Sequence, residues 1–111
     1  MGLFRRRKSA QHVVTSDSQS ESKRATVAHL QDFVSTRQGV EAYIEPANAV
    51  TQTTIILIAT TGEWTRRRVP DVAAGWKLAK ELKIPAYDVN RTGYPQRMRD
   101  WNSAQKRTGR P

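Results

Sequence analysis

The chain has 111 residues, room for one small domain and not for two catalytic ones. Apolar residues make up 37%, below the roughly 45–50% of an average globular chain, so part of the sequence lies outside any core. Nineteen Lys and Arg against ten Asp and Glu give a net charge of +9, and zero cysteines exclude a disulfide scaffold, a thiolate zinc site and a thiol nucleophile. The lack of cysteine fits a reducing cytoplasm, which is the expected location.

The charge is uneven. Residues 1–24 hold six basic and two acidic side chains, and residues 91–111 hold six basic and one acidic, so the excess sits at the two ends. The longest apolar run, Ile55 to Ala59, is far short of the roughly 20 residues that cross a bilayer, and no transmembrane segment is expected. Residues 1–24, with Arg5-Arg6-Arg7-Lys8 and the Ser-rich stretch from Ser16 to Ser22, lack the apolar periodicity that would offset the entropy of ordering. They read as a disordered basic tail, and they lack the apolar stretch of a secretory signal.

From Arg24 onward Val27, Leu30, Phe33 and Val34 recur at helical spacing, which predicts a helix over 26–37 with Thr26 as N-cap and Gly39 as the left-handed C′ residue. Val40, Ala42 and Ile44 alternate with Glu41, Tyr43 and Glu45 as in a half-buried strand, closed by Pro46 and Asn48. Thr53 to Thr60 is β-branched and apolar on both faces and predicts a central strand. A turn at Thr61-Gly62 leads into a strand over 63–69, giving a β-hairpin in which Trp64, Arg66 and Arg68 share one face. Asp71 is set to cap a helix over 71–83 whose buried stripe is Val72, Trp76, Leu78, Ala79 and Leu82, and which Ile84-Pro85 ends. A short strand over 86–89 completes a β-α-β unit, with a right-handed crossover if the two strands are parallel neighbours. Tyr94, Met98 and Trp101 then predict a C-terminal helix over 95–104, and Lys106 to Pro111 should fray.

The expected fold is therefore α+β, a three- to four-stranded sheet with two flanking helices and a C-terminal helix. The compact domain is placed at 25–103, with disordered basic tails at 1–24 and 104–111.

Chemistry is harder to find. Trp64 with Arg66 and Arg68 offers either a stacking surface with phosphate donors or simply a covered sheet face. Arg97 and Arg99 stand beside Tyr94, Met98 and Trp101; the aromatics either dock a partner or lid the open sheet face, with the two arginines in solvent. The basic ends suit phosphate neutralisation, although no helix-turn-helix, zinc finger or RNA-recognition motif accompanies them. Met1 to Phe4 ahead of the basic run at residues 5–8 could rest on an anionic membrane, but Arg6 stands where a myristoylation signal needs Ser or Thr. His12 and His29 lack a partner at fixed spacing, and Glu41 with Glu45 reads as a solvated strand face more than as an acid/base pair. No catalytic residue, metal site or cofactor is indicated, and neither dinucleotide-binding nor P-loop glycines are present.

The runs Gly62-Glu63-Trp64-Thr65-Arg66-Arg67-Arg68-Val69, Ile84-Pro85-Ala86-Tyr87-Asp88-Val89 and Gly93-Tyr94-Pro95-Gln96-Arg97-Met98-Arg99-Asp100-Trp101 resemble a family of small uncharacterised actinobacterial proteins. The resemblance covers about residues 40–102 and implies a shared fold for that stretch, with no established activity. The leading functional expectation is a non-enzymatic accessory protein that binds nucleic acid or a ribonucleoprotein through Trp64, Arg66, Arg68, Arg97, Arg99 and Trp101. The alternative is a protein-interaction adaptor anchored by Trp64 or Trp101. A redox enzyme ranks third, without a supporting motif.

Overall fold

A computed structural model describes residues 21–107. Helix α1 (21–36) precedes strands β1 (Glu41–Glu45), β2 (Thr54–Ile58) and β3 (Trp64–Arg68). Helix α2 (Val72–Glu81), strand β4 (Ala86–Asp88), the short helix α3 (Val89–Thr92) and helix α4 (Gln96–Arg107) follow. The strands form one sheet in the order β3-β2-β1-β4, antiparallel except where β4 runs parallel to β1.

β2 lies inside the sheet, and it is apolar on both faces. Ile55 and Leu57 enter one core, Ile56 and Ile58 the other, and all four are fully buried, each worth about 2 kcal/mol over exposure. The first core lies under α1 and α2, with Leu30, Phe33, Leu78 and Ala79 packed on Ala42, Ile44, Ile55 and Leu57. The second holds Tyr43, Ile56, Ile58 and Met98, bordered by Trp64, Val89 and Tyr94. The sheet face opposite α1 and α2 is thus lidded by α4 from the same chain, the second of the two readings open for Tyr94, Met98 and Trp101.

α2 opens as expected, with the Asp71 carboxylate accepting from the Ala74 N–H at 2.8 Å. Its end is closed by a paired motif: Ile84 N–H donates to the Ala79 carbonyl and Lys83 N–H to that of Lys80. Lys83 occupies the left-handed position (φ 60°) that usually belongs to glycine.

Several expectations need correction. α1 already includes residues 21–25, so Thr26 is not its N-cap, and the tail boundary expected at residue 24 falls inside the helix. Gly39 is left-handed (φ 62°) as foreseen, but it sits in the bend after the helix, where a Cβ would meet Thr60 Oγ1. β3 and β4 are parallel to each other yet lie on opposite edges of the sheet, because α2 crosses over both β2 and β1. Trp76 is not in the core. Gly75 faces the sheet instead, its missing Cβ lying 2.9 Å from Ile44 Cδ1, and this close approach turns the adjacent Trp76 outward at 39% exposure. α4 continues past 104 to include Lys106 and Arg107, and α3 had no predicted counterpart. The basic run at residues 5–8 and the last four residues lie outside the described residues.

Candidate anion-binding edge

On the face covered by α4, the strand pleat aligns Glu41, Tyr43 and Glu45 of β1 with Ile58, Ile56 and Thr54 of β2, and these with Trp64, Arg66 and Arg68 of β3. Opposite charges thus share one surface. Arg66 reaches over β2 to grip Glu45 with two bonds, Nε to Oε1 at 2.7 Å and Nη2 to Oε2 at 2.9 Å. Glu45 also accepts from the hydroxyls of Thr54 and Tyr94, the latter from the loop leading into α4.

Arg97 of α4 points inward rather than to solvent, donating to Glu41 Oε1 at 2.6 Å and to the Ala59 carbonyl at 2.9 Å. Tyr43 and Tyr87 donate their hydroxyls to the same Glu41. Glu41 and Glu45 are therefore no solvated strand face. β1 is an interior strand, and an unpaired carboxylate there would be costly. Burial alone would raise the Glu45 carboxyl, but hydrogen bonds from Arg66, Thr54 and Tyr94 outweigh it and hold it below the usual range. Burial, then the hydrogen bond to Glu45, pushes the Tyr94 phenol up.

The aromatic candidates are engaged as well. Trp64 is half-buried, its indole N–H donates to Asn102 Oδ1 at 2.9 Å, and the Arg66 guanidinium lies 5.1 Å from its ring centre. Trp101 is half-buried where α4 meets Gly62. Of the six residues expected to form a binding site, the fold turns Trp64, Arg66, Arg97 and Trp101 into packing and internal pairing. Arg68 and Arg99 remain exposed; Arg99 spends one donor on the Tyr94 carbonyl, and Arg68 has no hydrogen bond or ion pair among the described residues.

Two cations without carboxylate partners among the described residues stand along the outer edge of β3. Glu63 O and Val69 N–H point toward β2, so the backbone groups of residues 64, 66 and 68 face outward. The side chain of Arg67, which no local pattern singles out, wraps this edge and donates to the Arg66 carbonyl at 2.7 Å. Among the described residues, neither Arg67 nor Arg68 meets a carboxylate. They line an open depression of about 420 Å³ with Thr26, Thr54 and Arg66, and Thr54 and Arg68 continue into a second of about 390 Å³ bounded by Val50, Thr51 and Gln52. Lys23 stands three residues before Thr26, on the same face of α1, and adds a further cation. Charges spread along an edge strand also deter pairing with other sheets, which is a structural use for them.

His29 acquires a partner that its sequence spacing hid. Its Nε2 lies 2.6 Å from Thr65 Oγ1 on β3, and burial first, then the positive charge of Arg67, lowers the imidazole pKa. Among the described residues no carboxylate is hydrogen-bonded to this imidazole, and the pair reads as a strut between α1 and β3. Among the described residues, no group of three or more His, Asp or Glu is placed to hold a metal, and no helix is long and apolar enough to cross a membrane. Compared with known proteins, the chain matches no family model, no curated protein and no solved structure.

Proposed function

We propose that the protein is a non-enzymatic accessory protein that binds nucleic acid or a ribonucleoprotein, using the β3 edge as its anchoring surface. One observation carries this reading. Arg67 and Arg68 stand exposed and, among the described residues, without carboxylate partners beside an open depression, while Arg66 and Arg97 are neutralised by Glu45 and Glu41. Cations arranged so exchange counterions for phosphates and bind polyanions without reading sequence. Lys23 and Arg99 are further exposed cations, and the chain carries more basic residues toward its two ends. The adaptor alternative, anchored by Trp64 or Trp101, has less support, since both side chains are half-buried against or within α4.

The test is fluorescence anisotropy with a labelled RNA and a labelled DNA duplex at low salt. Arg67→Ala/Arg68→Ala is expected to lower affinity about tenfold on both probes, as for removal of sequence-independent phosphate binding. Micromolar wild-type protein that leaves both probes unbound would overturn the proposal.

A further inference from the structure

α2 presents a second basic surface, on the far side of the helix from the sheet. Trp76 is its centre. Among the described residues, the large apolar side chains in solvent are Val50, Trp76 and Tyr87. Tyr87 stacks its ring against Tyr43 and gives its hydroxyl to Glu41, and Val50 lies in a loop. Trp76 alone among these is an aromatic with neither a ring partner nor a polar one. Lys77 is its neighbour, Lys80 follows one turn later and Lys83 nearly a turn beyond, all exposed and none paired with a carboxylate among the described residues. Glu81 is the one acid on the exposed side of this helix besides Asp71, which is occupied as the N-cap.

We propose that the outer face of α2 binds single-stranded nucleic acid, with Trp76 as the platform on which an unpaired base stacks and Lys77, Lys80 and Lys83 holding the adjacent phosphates. This rests on the polyanion reading above and deepens it by naming unpaired strands as the ligand. The composition of the patch selects the occupant. A protein interface centred on tryptophan is typically depleted of lysine, whereas here three of the exposed residues that follow Trp76 are lysines. A membrane-bound helix face needs a continuous apolar stripe, and of the helical neighbours of Trp76, Ala73 is small, Lys80 is charged and Val72 packs against the core. Bases in a duplex are already stacked on one another, while an unpaired base offers a free π-face beside its phosphates.

Lys83 supplies an independent sign. It closes α2 in the left-handed conformation, where glycine would serve the fold better, so its side chain is kept at a folding cost. Lys83→Gly therefore separates the two roles, raising the thermal midpoint while lowering affinity for the strand. A purely structural lysine would raise the midpoint and leave binding alone.

The experiment measures anisotropy of a labelled twelve-nucleotide oligo(dT) and of a labelled twelve-base-pair duplex with the full chain. Trp76→Ala should weaken oligo(dT) binding about tenfold, since stacking on one base is worth about 1–3 kcal/mol, and leave the duplex unchanged. Trp76→Phe should keep most of the affinity. Lys77→Glu/Lys80→Glu should lose oligo(dT) binding as well, and it carries the test should Trp76→Ala fold poorly. The proposal is overturned if Trp76→Ala binds oligo(dT) like wild type or loses both probes equally. With Arg67→Ala/Arg68→Ala weakened on both probes, the first of those results removes the α2 site and leaves the β3 reading standing. Wild-type protein that binds neither probe ends both.

Discussion

Gly62→Ala is the sharpest test of how α4 is seated on the sheet. Gly62 follows β2 with φ 93°, and a Cβ built there lies 2.0 Å from the Arg97 carbonyl oxygen, 2.7 Å from its carbon and 2.9 Å from Trp101 Cβ. The obstacle is helix backbone, which no rotamer change can move, so the 2.0 Å separation must grow by about 1.4 Å to reach ordinary van der Waals contact. Retreat strains the bonds from Arg97 to Glu41 and Ala59 and the bond from Trp64 to Asn102, and it loosens the packing on Met98. The left-handed backbone contributes about 1–2 kcal/mol and the overlap about 1–3 kcal/mol, a total of about 2–5 kcal/mol. Against a typical stability of about 5–10 kcal/mol this is a large loss.

Gly93 is the control, because its φ is 69° yet a Cβ there meets nothing within 4 Å. Its ψ of 178° lies in a region nearly confined to glycine, so Gly93→Ala carries the backbone cost alone, and generously. In urea denaturation followed by tryptophan fluorescence, Gly62→Ala should fall below Gly93→Ala by at least about 1 kcal/mol, or about 0.5 M in midpoint. Equal losses, or a larger one at Gly93, would refute the close approach of α4 to Gly62.

Glu45→Gln should cost about 1–3 kcal/mol at neutral pH by weakening a carboxylate that serves Arg66, Thr54 and Tyr94 at 14% side-chain exposure. Because the folded carboxyl titrates below its unfolded value of about 4.3, its contribution is complete above that pH and is lost as pH falls through the folded value. The gap between wild type and variant should therefore close toward pH 3, and a gap constant with pH would contradict the assignment. His29 has the opposite chemistry and the same direction. With its folded pKa below about 6.5, the unfolded state takes up the proton first, so stability is full above that value and declines as pH falls beneath it. His29→Gln should flatten denaturation midpoints measured between about pH 6.5 and 5; an unchanged slope would count against burial of the neutral ring.

Much of the fold was legible because particular residues leave local signals. β2 announces itself by four consecutive apolar side chains after Thr54, which fill both faces, and Asp71 marks the start of α2 by capping chemistry. Trp76 misled because periodicity counts apolar residues and cannot see that Gly75 replaces size with close approach. Lys83 gave no stop signal, since a lysine at a left-handed helix end looks like any other surface lysine. The candidate site was harder still. Arg66 and Glu45 are 21 residues apart and Arg97 and Glu41 are 56 apart, so which arginines are neutralised is decided by tertiary structure alone. A clue did exist: acids alternating along β1 and arginines alternating along β3 have the same period, as two strands offering opposite charge to one face must. Arg67 escaped notice because it lies on the other face from Arg66 and Arg68 and reaches the edge only by wrapping around it.

The salt dependence of binding tests the central claim most directly. For wild type on a labelled RNA, a plot of log affinity against log salt should fall linearly with a slope of about −0.9 per phosphate neutralised on a duplex, or about −0.7 on a single strand. Arg67→Ala/Arg68→Ala, which removes exposed side chains and should shift stability by less than about 0.5 kcal/mol per site, should make that slope shallower by about one unit for each phosphate no longer held. A binding constant indifferent to salt, or slopes that coincide in the two proteins, would contradict a role for the β3 edge in holding polyanions.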